Sequence, residues 1–377
     1  MSVLKKNRYL LAPPFSNSVE TFISPIAKSK HEVLDGLKIA QGWRYFNELK
    51  VLQKDNNIYS EVIMSPSKLL QICKKESKES LIEAERLIHC ITKKRPSFSN
   101  LDMSQFHIMG VINTTPDSFY KNSQLTSSNS IVKKSLKMAS DGASIIDIGG
   151  ESTRPGAKEV SVNEEIKRVM PSIIHLKNNG LGIQVSLDTR NLSTMKLGFE
   201  NGVDIFNDIS GFTDHNKMKF ISKLKLPIIV MHMQNKPHNM QNEPKYRFAP
   251  IDIYNILSKR VNQLIDVGID KSNIVVDPGI GFGKNIDHNL EILRNISLFQ
   301  SLGVPILIGV SRKSVVSEVT INAYKRQGIN KKLISPTKRL SGSLAFAIHA
   351  YNNGIQLIRT HDVFETKQAI ICQDAMN

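Results

Sequence analysis

Membrane-spanning segments are missing from this sequence: no apolar run approaches the roughly 20 residues that a spanning helix needs. The N-terminus, "MSVLKKNRYLLAPPFSNS", begins basic but offers only "YLLA" as an apolar piece, too short for the core of a secretory signal. Cysteine is scarce, with three in 377 residues. Cys73, Cys90 and Cys372 stand far apart, in neither paired nor metal-ligand spacing, which argues against a disulfide framework or a cysteine-bound metal. Reduced thiols in a cytoplasmic protein are the expectation. The two common phosphate loops are also absent, although "DPGIGFGK" (277–284) invites both. A P-loop needs glycine five residues before its Gly-Lys pair, where Pro278 stands, and Ser or Thr after the lysine, where Asn285 stands. The dinucleotide fingerprint fails because its third glycine falls one residue early, at Gly283.

What is present is ordinary for a globular chain, with 40% hydrophobic and 22% charged residues. The formal net charge of +16 raises nucleic-acid binding as a reading. The lysines are spread along the chain among many Asn and Ile residues, which a general compositional bias explains as well. Attraction of an anionic small molecule is the milder functional reading. No nucleic-acid or membrane partner is expected.

The chain changes character near residue 105. From there, eight short Val- and Ile-rich runs alternate with amphipathic segments: 107–113, 144–150, 183–189, 203–209, 227–233, 273–279, 305–311 and 355–361. Each is apolar through its first half and turns polar or glycine-containing at its end. Continuous apolar runs suit parallel strands buried on both faces. The segments between them, such as 163–179, 249–268 and 339–354, carry helical spacing. Eight strand–helix units predict a (β/α)8 TIM barrel over residues 101–377, with a doubly wound open sheet as the alternative. Residues 1–100 read as a small α/β extension of unknown role. It has a hairpin around "QKDNN", a helix at 80–94 and a linker at "RPSFSN" (95–100). The segment 323–339 holds six Lys or Arg and no acid, and reads as a solvated loop.

In such a barrel the chemistry sits at the C-terminal strand ends. Here those ends carry Asn113, "GGESTRPG", Asp188, Asn207 with Asp208, His232, Asp277, Ser311-Arg312-Lys313, and Arg359 with His361. Any one of them suits a local cap or turn, so their convergence carries the inference. Arg154, Arg359, His361 and the loop around Gly156 offer donors for a phosphate or pyrophosphate. Asn113 offers a neutral oxygen suited to a metal that keeps most of its waters, as Mg²⁺ does. Asp188, Asn207, Asp277 and Lys313 suit a flat heterocycle presenting N–H donors and ring acceptors.

The stretches "MGVINTTPDSF", "DIGGESTRPGA", "SLDT", "NDISGF", "MHMQNKPHNMQ", "DPGIGFGKN", "GVSRKS" and "IRTHDV" resemble, in order, the motifs of dihydropteroate synthases. The resemblance runs from about residue 105 to the C-terminus. The extension before it is too short to resemble the complete pyrophosphokinase domain fused to this enzyme in some lineages. The resemblance implies condensation of 6-hydroxymethyl-7,8-dihydropterin diphosphate with 4-aminobenzoate, giving 7,8-dihydropteroate and pyrophosphate in folate biosynthesis. It implies Asn113 as the Mg²⁺ ligand and Thr153, Arg154, Arg359, Thr360 and His361 as diphosphate-binding groups. Asp188, Asn207, Met231, Asp277, Phe282 and Lys313 are implied to form the pterin pocket, with Asp188, Asp277 and Lys313 serving catalysis. Thr115, Pro116, Phe119, Pro155 and Ser314 fall where the family binds 4-aminobenzoate and where sulfonamides compete. Loops 113–127 and 152–160 would exclude water, and a homodimer is implied. Lys284 reads as a surface charge.

Two other readings share some of these features. A pterin-binding methyltransferase of the same barrel class would keep the carboxylates but has no use for the diphosphate clamp of "STRPG" and "RTHD". A non-catalytic paralogue would show eroded strand ends, and none is eroded.

Overall fold

The dipeptide Asn56-Asn57 is the sharpest turn signal of the first hundred residues, and Asn56 takes the left-handed conformation that asparagine tolerates (φ 49°). In the computed structural model, which describes residues 4–114, 128–151, 159–178, 182–235 and 239–376, it joins β5 (Leu49–Asp55) to β6 (Ile58–Met64) as an antiparallel hairpin. The hairpin is longer than the sequence suggests, since Gln53–Asp55 pair within it. β1 (Leu4–Lys6) and β2 (Glu20–Pro25) complete a four-stranded sheet in the order β1-β6-β5-β2, while β3 (Leu37–Lys38) and β4 (Tyr45–Phe46) form a separate pair. Two helices follow, α1 (Pro66–Glu76) and α2 (Lys78–Thr92). Ser65 accepts from the Lys68 N–H to start α1 ahead of Pro66, and Ser77 caps α2 by accepting from the Ser80 N–H.

All eight expected barrel strands form, β7 over its whole run and the others shortened within theirs. They are β7 (His107–Asn113), β8 (Ile145–Gly149), β9 (Gln184–Asp188), β10 (Ile205–Asp208), β11 (Ile228–Met231), β12 (Ile274–Asp277), β13 (Leu307–Gly309) and β14 (Leu357–Thr360). Every pairing is parallel, in the order β12-β11-β10-β9-β8-β7-β14-β13. One bridge between Val276 and Ile306, with the Val276 N–H donating to the Pro305 carbonyl at 3.1 Å, brings the first and last strands together. Helices α3 (Ser128–Ser140), α4 (Val162–Asn178), α5 (Leu192–Glu200), α6 (His215–Leu224), α7 (Ala249–Asp266), α8 (Ile286–Arg294), α9 (Ser314–Arg326), α10 (Leu340–Asn352) and α11 (Val363–Asp374) surround it.

Segment 95–100 is not a linker. Phe98 is wholly buried and packs with Met103 against Met109, Ile145, Ile205, Ile229, Val275, Leu307 and Leu357. Those are inward residues from the lower half of seven barrel strands, so Phe98 and Met103 stopper the N-terminal mouth. Arg95 is 2% exposed, and its Nη2 donates to the Gln300 carbonyl at 2.9 Å. The N-terminal sheet shares the barrel's core: Phe22 meets Tyr254 edge-on at 5.5 Å, and Tyr59 meets Phe248 at 5.4 Å. Trp43 stacks on Tyr351 at 5.1 Å and donates its indole N–H to the Tyr351 carbonyl. The basic segment 323–339 is exposed along most of its length, but Arg339 is buried. Its guanidinium donates to the carbonyls of Ile334 and Arg312, at 2.8 and 2.9 Å.

Removing the stopper has a measurable consequence. Phe98→Ala leaves a cavity ringed by fixed strands, and is expected to cost about 3–5 kcal/mol, read as a lower urea midpoint. A midpoint unchanged from wild type would show that the barrel floor does not depend on it.

Candidate active site

Alternation along the strands decides which polar residues reach the interior. In register, Asp147 of β8 lies beside Ser186 of β9, Asp188 beside Gly149 and Asn207, and Met231 beside Asp277. Arg359 of β14 reaches across this ring. Its Nε donates to Asp147 Oδ2 at 2.7 Å and its Nη2 to Asp188 Oδ2 at 2.7 Å, with Nη2 also in ion-pair contact with Asp147 Oδ2 at 2.6 Å. Asn207 Nδ2 donates to the same Asp147 oxygen at 3.2 Å. Asp147 Oδ1 is buried and has no partner among the described residues. Asp147, which the sequence hid within the apolar run "SIIDIGG", is thus a central site residue. Burial pushes the Asp188 carboxyl up to about 7, with Arg359 opposing the rise and the Asp147 charge adding to it.

Asp277 ends β12, and its Oδ1 accepts the Gly279 N–H at 2.7 Å, closing a tight turn. Gly279 has φ 71°, and a β-carbon there would stand 2.0 Å from the His232 carbonyl oxygen, so only glycine fits. Burial raises the Asp277 carboxyl, while Lys313 holds it down. Lys313 donates to the Ile280 carbonyl, and its Nζ lies 4.5 Å from the centre of the Phe282 ring. Burial lowers the Lys313 ammonium to about 8, with Asp277 supporting its charge. Gly309 lies beside Lys313 and Arg359, where a β-carbon would stand 3.5 Å from the Lys313 ammonium and 3.8 Å from Arg359 Cβ. Met231 and Phe282 are buried with Ile209 and Met240 in one apolar wall.

The remaining expectations divide. His361 meets the Ser311 hydroxyl through Nδ1 at 3.1 Å, at the end of the same strand as Arg359. Thr360 faces outward: its hydroxyl accepts from the Asp362 N–H at 3.1 Å and from Thr366 at 3.3 Å. Asp208 likewise faces outward and pairs with Lys217 at 2.6 Å. Arg312 pairs with Asp362 on the outer side of the mouth. Ser314 is the first residue of α9, and Asn113 ends β7, half-buried, beside Gly149. Thr115, Pro116, Phe119, Thr153, Arg154, Pro155 and the loop around Gly156 lie outside the described residues. Arg190, not anticipated from sequence, donates to Glu151 at 2.8 Å and to Glu159 at 2.7 Å, the residues on either side of 152–158.

Lys284 is not a surface charge. It is 2% exposed, and its ammonium donates to the carbonyls of Phe282 (2.8 Å), Gly279 (2.9 Å) and His232 (3.3 Å) and to His232 Nδ1 (3.1 Å).

This ring of acids, amide and cations over an apolar wall has close counterparts. Residues 109–361 match the model of the pterin binding enzyme family. The dihydropteroate synthase of Haemophilus influenzae is 38% identical over 270 residues, which is 72% of this chain and 94% of that protein. The chain belongs to the dihydropteroate synthase family. A crystal structure of the Yersinia pestis dihydropteroate synthase with a sulfonamide drug complex has a TM-score of 0.67 at 36% identity, covering 73% of this chain and 96% of that one. The Xanthomonas albilineans dihydropteroate synthase with 4-aminobenzoic acid gives 0.66 at 32% identity, covering 75% and 97%. As a dihydropteroate synthase the protein is a transferase of folate biosynthesis acting on small molecules. No helix among the described residues is long and apolar enough to cross a membrane.

The raised Asp188 carboxyl makes stability depend on pH. An ordinary aspartate titrates near about 3.9, so folding takes up a proton at Asp188 between there and about 7. Its contribution therefore favours the folded state at low pH and is lost as pH rises through about 7. The urea-midpoint difference between wild type and Asp188→Asn is expected to move against wild type from pH 5 to pH 8. A gap that stays constant would contradict this.

Proposed function

We propose that this barrel mouth binds the pterin diphosphate, with Asp188, Asn207, Asp277 and Lys313 on the ring and Arg359 between ring and diphosphate. The observation that carries the reading is the opposed placement of Asp188 and Asp277, on strands at two sides of an apolar wall formed by Met231 and Phe282. A carboxylate accepts two parallel hydrogen bonds from an amino group and the adjacent ring N–H. Lys313, cationic at neutral pH, donates to an acceptor on the opposite ring edge. Arg359 keeps its carboxylates through Nε and Nη2 and turns the remaining edge of its guanidinium toward the diphosphate, with His361 and Ser311 beside it.

In the reaction the bond from the pterin methylene to oxygen breaks, and pyrophosphate takes the electron pair. A bond from that carbon to the 4-aminobenzoate nitrogen forms, and the nitrogen gives up a proton. Positive charge develops on the pterin and negative charge on the leaving group, so stabilisation is needed at two poles. Asp188 and Asp277 serve the first; Arg359 and His361 serve the second. No covalent enzyme intermediate is required.

A divalent ion fits the donor set only in a particular way. Among the described residues there is no group of three or more His, Cys, Asp or Glu that could hold one. Asn113 supplies one neutral oxygen at the end of β7, which suits Mg²⁺ held mainly by water and substrate phosphate. Bound there, Mg²⁺ would supply Lewis-acid stabilisation of the departing pyrophosphate.

Purified protein is expected to release pyrophosphate only when pterin diphosphate and 4-aminobenzoate are both present; release with either alone, or with neither required, would defeat the assignment. Each hydrogen bond to a charged group contributes about 1.5–3 kcal/mol. Lys313→Ala and Asp277→Asn are therefore each expected to weaken pterin binding about tenfold or more, measured by calorimetry. Wild-type affinity in both would overturn the pocket assignment.

A further inference from the structure

One buried lysine lies just outside the pocket and takes no part in the chemistry above. The Lys284 ammonium has three N–H donors and four acceptors around it, the carbonyls of Gly279, Phe282 and His232 and the His232 imidazole. Three carbonyl oxygens converging in a buried space repel one another and leave orphan acceptors unless a donor stands between them. Gly279 and Phe282 bound the turn whose middle carbonyl, on Ile280, accepts from Lys313. Phe282 is the ring beneath the Lys313 ammonium. His232 follows β11, and its N–H donates to the Asp277 carbonyl at 2.9 Å. Lys284 therefore touches both sides of the site floor. Gln241 donates to the Gly281 carbonyl, Tyr246 to the Gly283 carbonyl, the Gly281 N–H to Asn289 and the Phe282 N–H to the Gly279 carbonyl, and none of these reaches the Phe282 carbonyl.

We propose that Lys284 is a positioning residue for the pterin site: its buried amine locks the 278–283 turn onto His232 and so fixes Phe282, the Ile280 carbonyl and, through that carbonyl, Lys313. This rests on the reading of the barrel mouth as the pterin site. The Gly279 carbonyl also accepts the Phe282 N–H at 3.1 Å, so the Phe282 and His232 carbonyls are the acceptors that give a buried lysine its reason here. Burial pushes both the Lys284 ammonium and the His232 imidazole well below their usual values, so the contacts of the amine with its neighbours, not its charge, carry the lock.

The test separates positioning from bulk stability. Lys284→Met keeps the length and loses the donors. It is expected to raise the dissociation constant for 6-hydroxymethylpterin and the KM for pterin diphosphate at least tenfold, while the KM for 4-aminobenzoate stays within about twofold. Lys284→Ala leaves a slot for a small amine, and added propylammonium chloride is expected to restore pterin affinity where sodium chloride does not. If Lys284→Met fails to fold, Lys284→Ala purified in propylammonium carries the same comparison. Wild-type pterin affinity in either variant without amine, or an equal loss for both substrates with no rescue, would overturn the inference. Wild-type protein that binds no pterin would overturn it together with the reading of the mouth.

Discussion

One guanidinium held between two carboxylates inside a barrel is the constraint on which the rest of the mouth depends. Asp147 and Asp188 are both buried, and Arg359 contacts both through a single nitrogen. Removing one partner of a buried pair leaves an uncompensated charge and typically costs about 3–5 kcal/mol. The interior must therefore keep these three residues together, and its neighbours follow. Asn207 turns its amide toward Asp147, and the apolar residues of the interior lie in the lower half of the strands and in one wall. The outcome is a site with separated polarity, carboxylates to receive N–H donors and cations to receive a leaving anion.

The lower half of the barrel supports that polar half by being mostly apolar, with β9 the exception: Gln184 accepts from the Ser99 hydroxyl, and the Ser186 hydroxyl is buried without a partner among the described residues. Phe98 and Met103 fill it from below. The chain that delivers them is the end of the N-terminal unit, whose sheet packs into the barrel's own hydrophobic core through Phe22, Leu52 and Tyr59. The first hundred residues are thus mechanically continuous with the floor under the site. A catalytic constellation needs its supporting shell fixed to within fractions of an ångström, and here that shell includes residues outside the stretch matched by the family.

Much of the barrel could be read from sequence because parallel strands buried on both faces leave uninterrupted Val and Ile runs with polar ends. Strand alternation also carried information that the motif reading set aside: with Arg359 inward, Thr360 had to face α11, as it does. Other features gave no such signal. Asp147 sits inside an apolar run and looks like an interruption rather than a ligand. Phe98 and Arg95 lie among Pro, Ser and Asn, a composition that usually marks an exposed connection. Lys284 is of a residue type almost never buried, and only the converging carbonyls of a folded glycine turn explain it. The helix α1 begins at a Ser-Pro start that is plain once the cap is seen.

The most direct test of the central claim is a proton count on binding. Burial pushes the Asp188 carboxyl up to about 7, with Arg359 opposing the rise. Receiving N–H donors from a pterin favours its ionised form. Calorimetry of 6-hydroxymethylpterin binding at pH 7, repeated in buffers of different ionisation enthalpy, should show net proton release. The release should vanish near pH 9. Binding with no proton exchange at either pH would contradict the assignment of Asp188 as the pterin's acceptor.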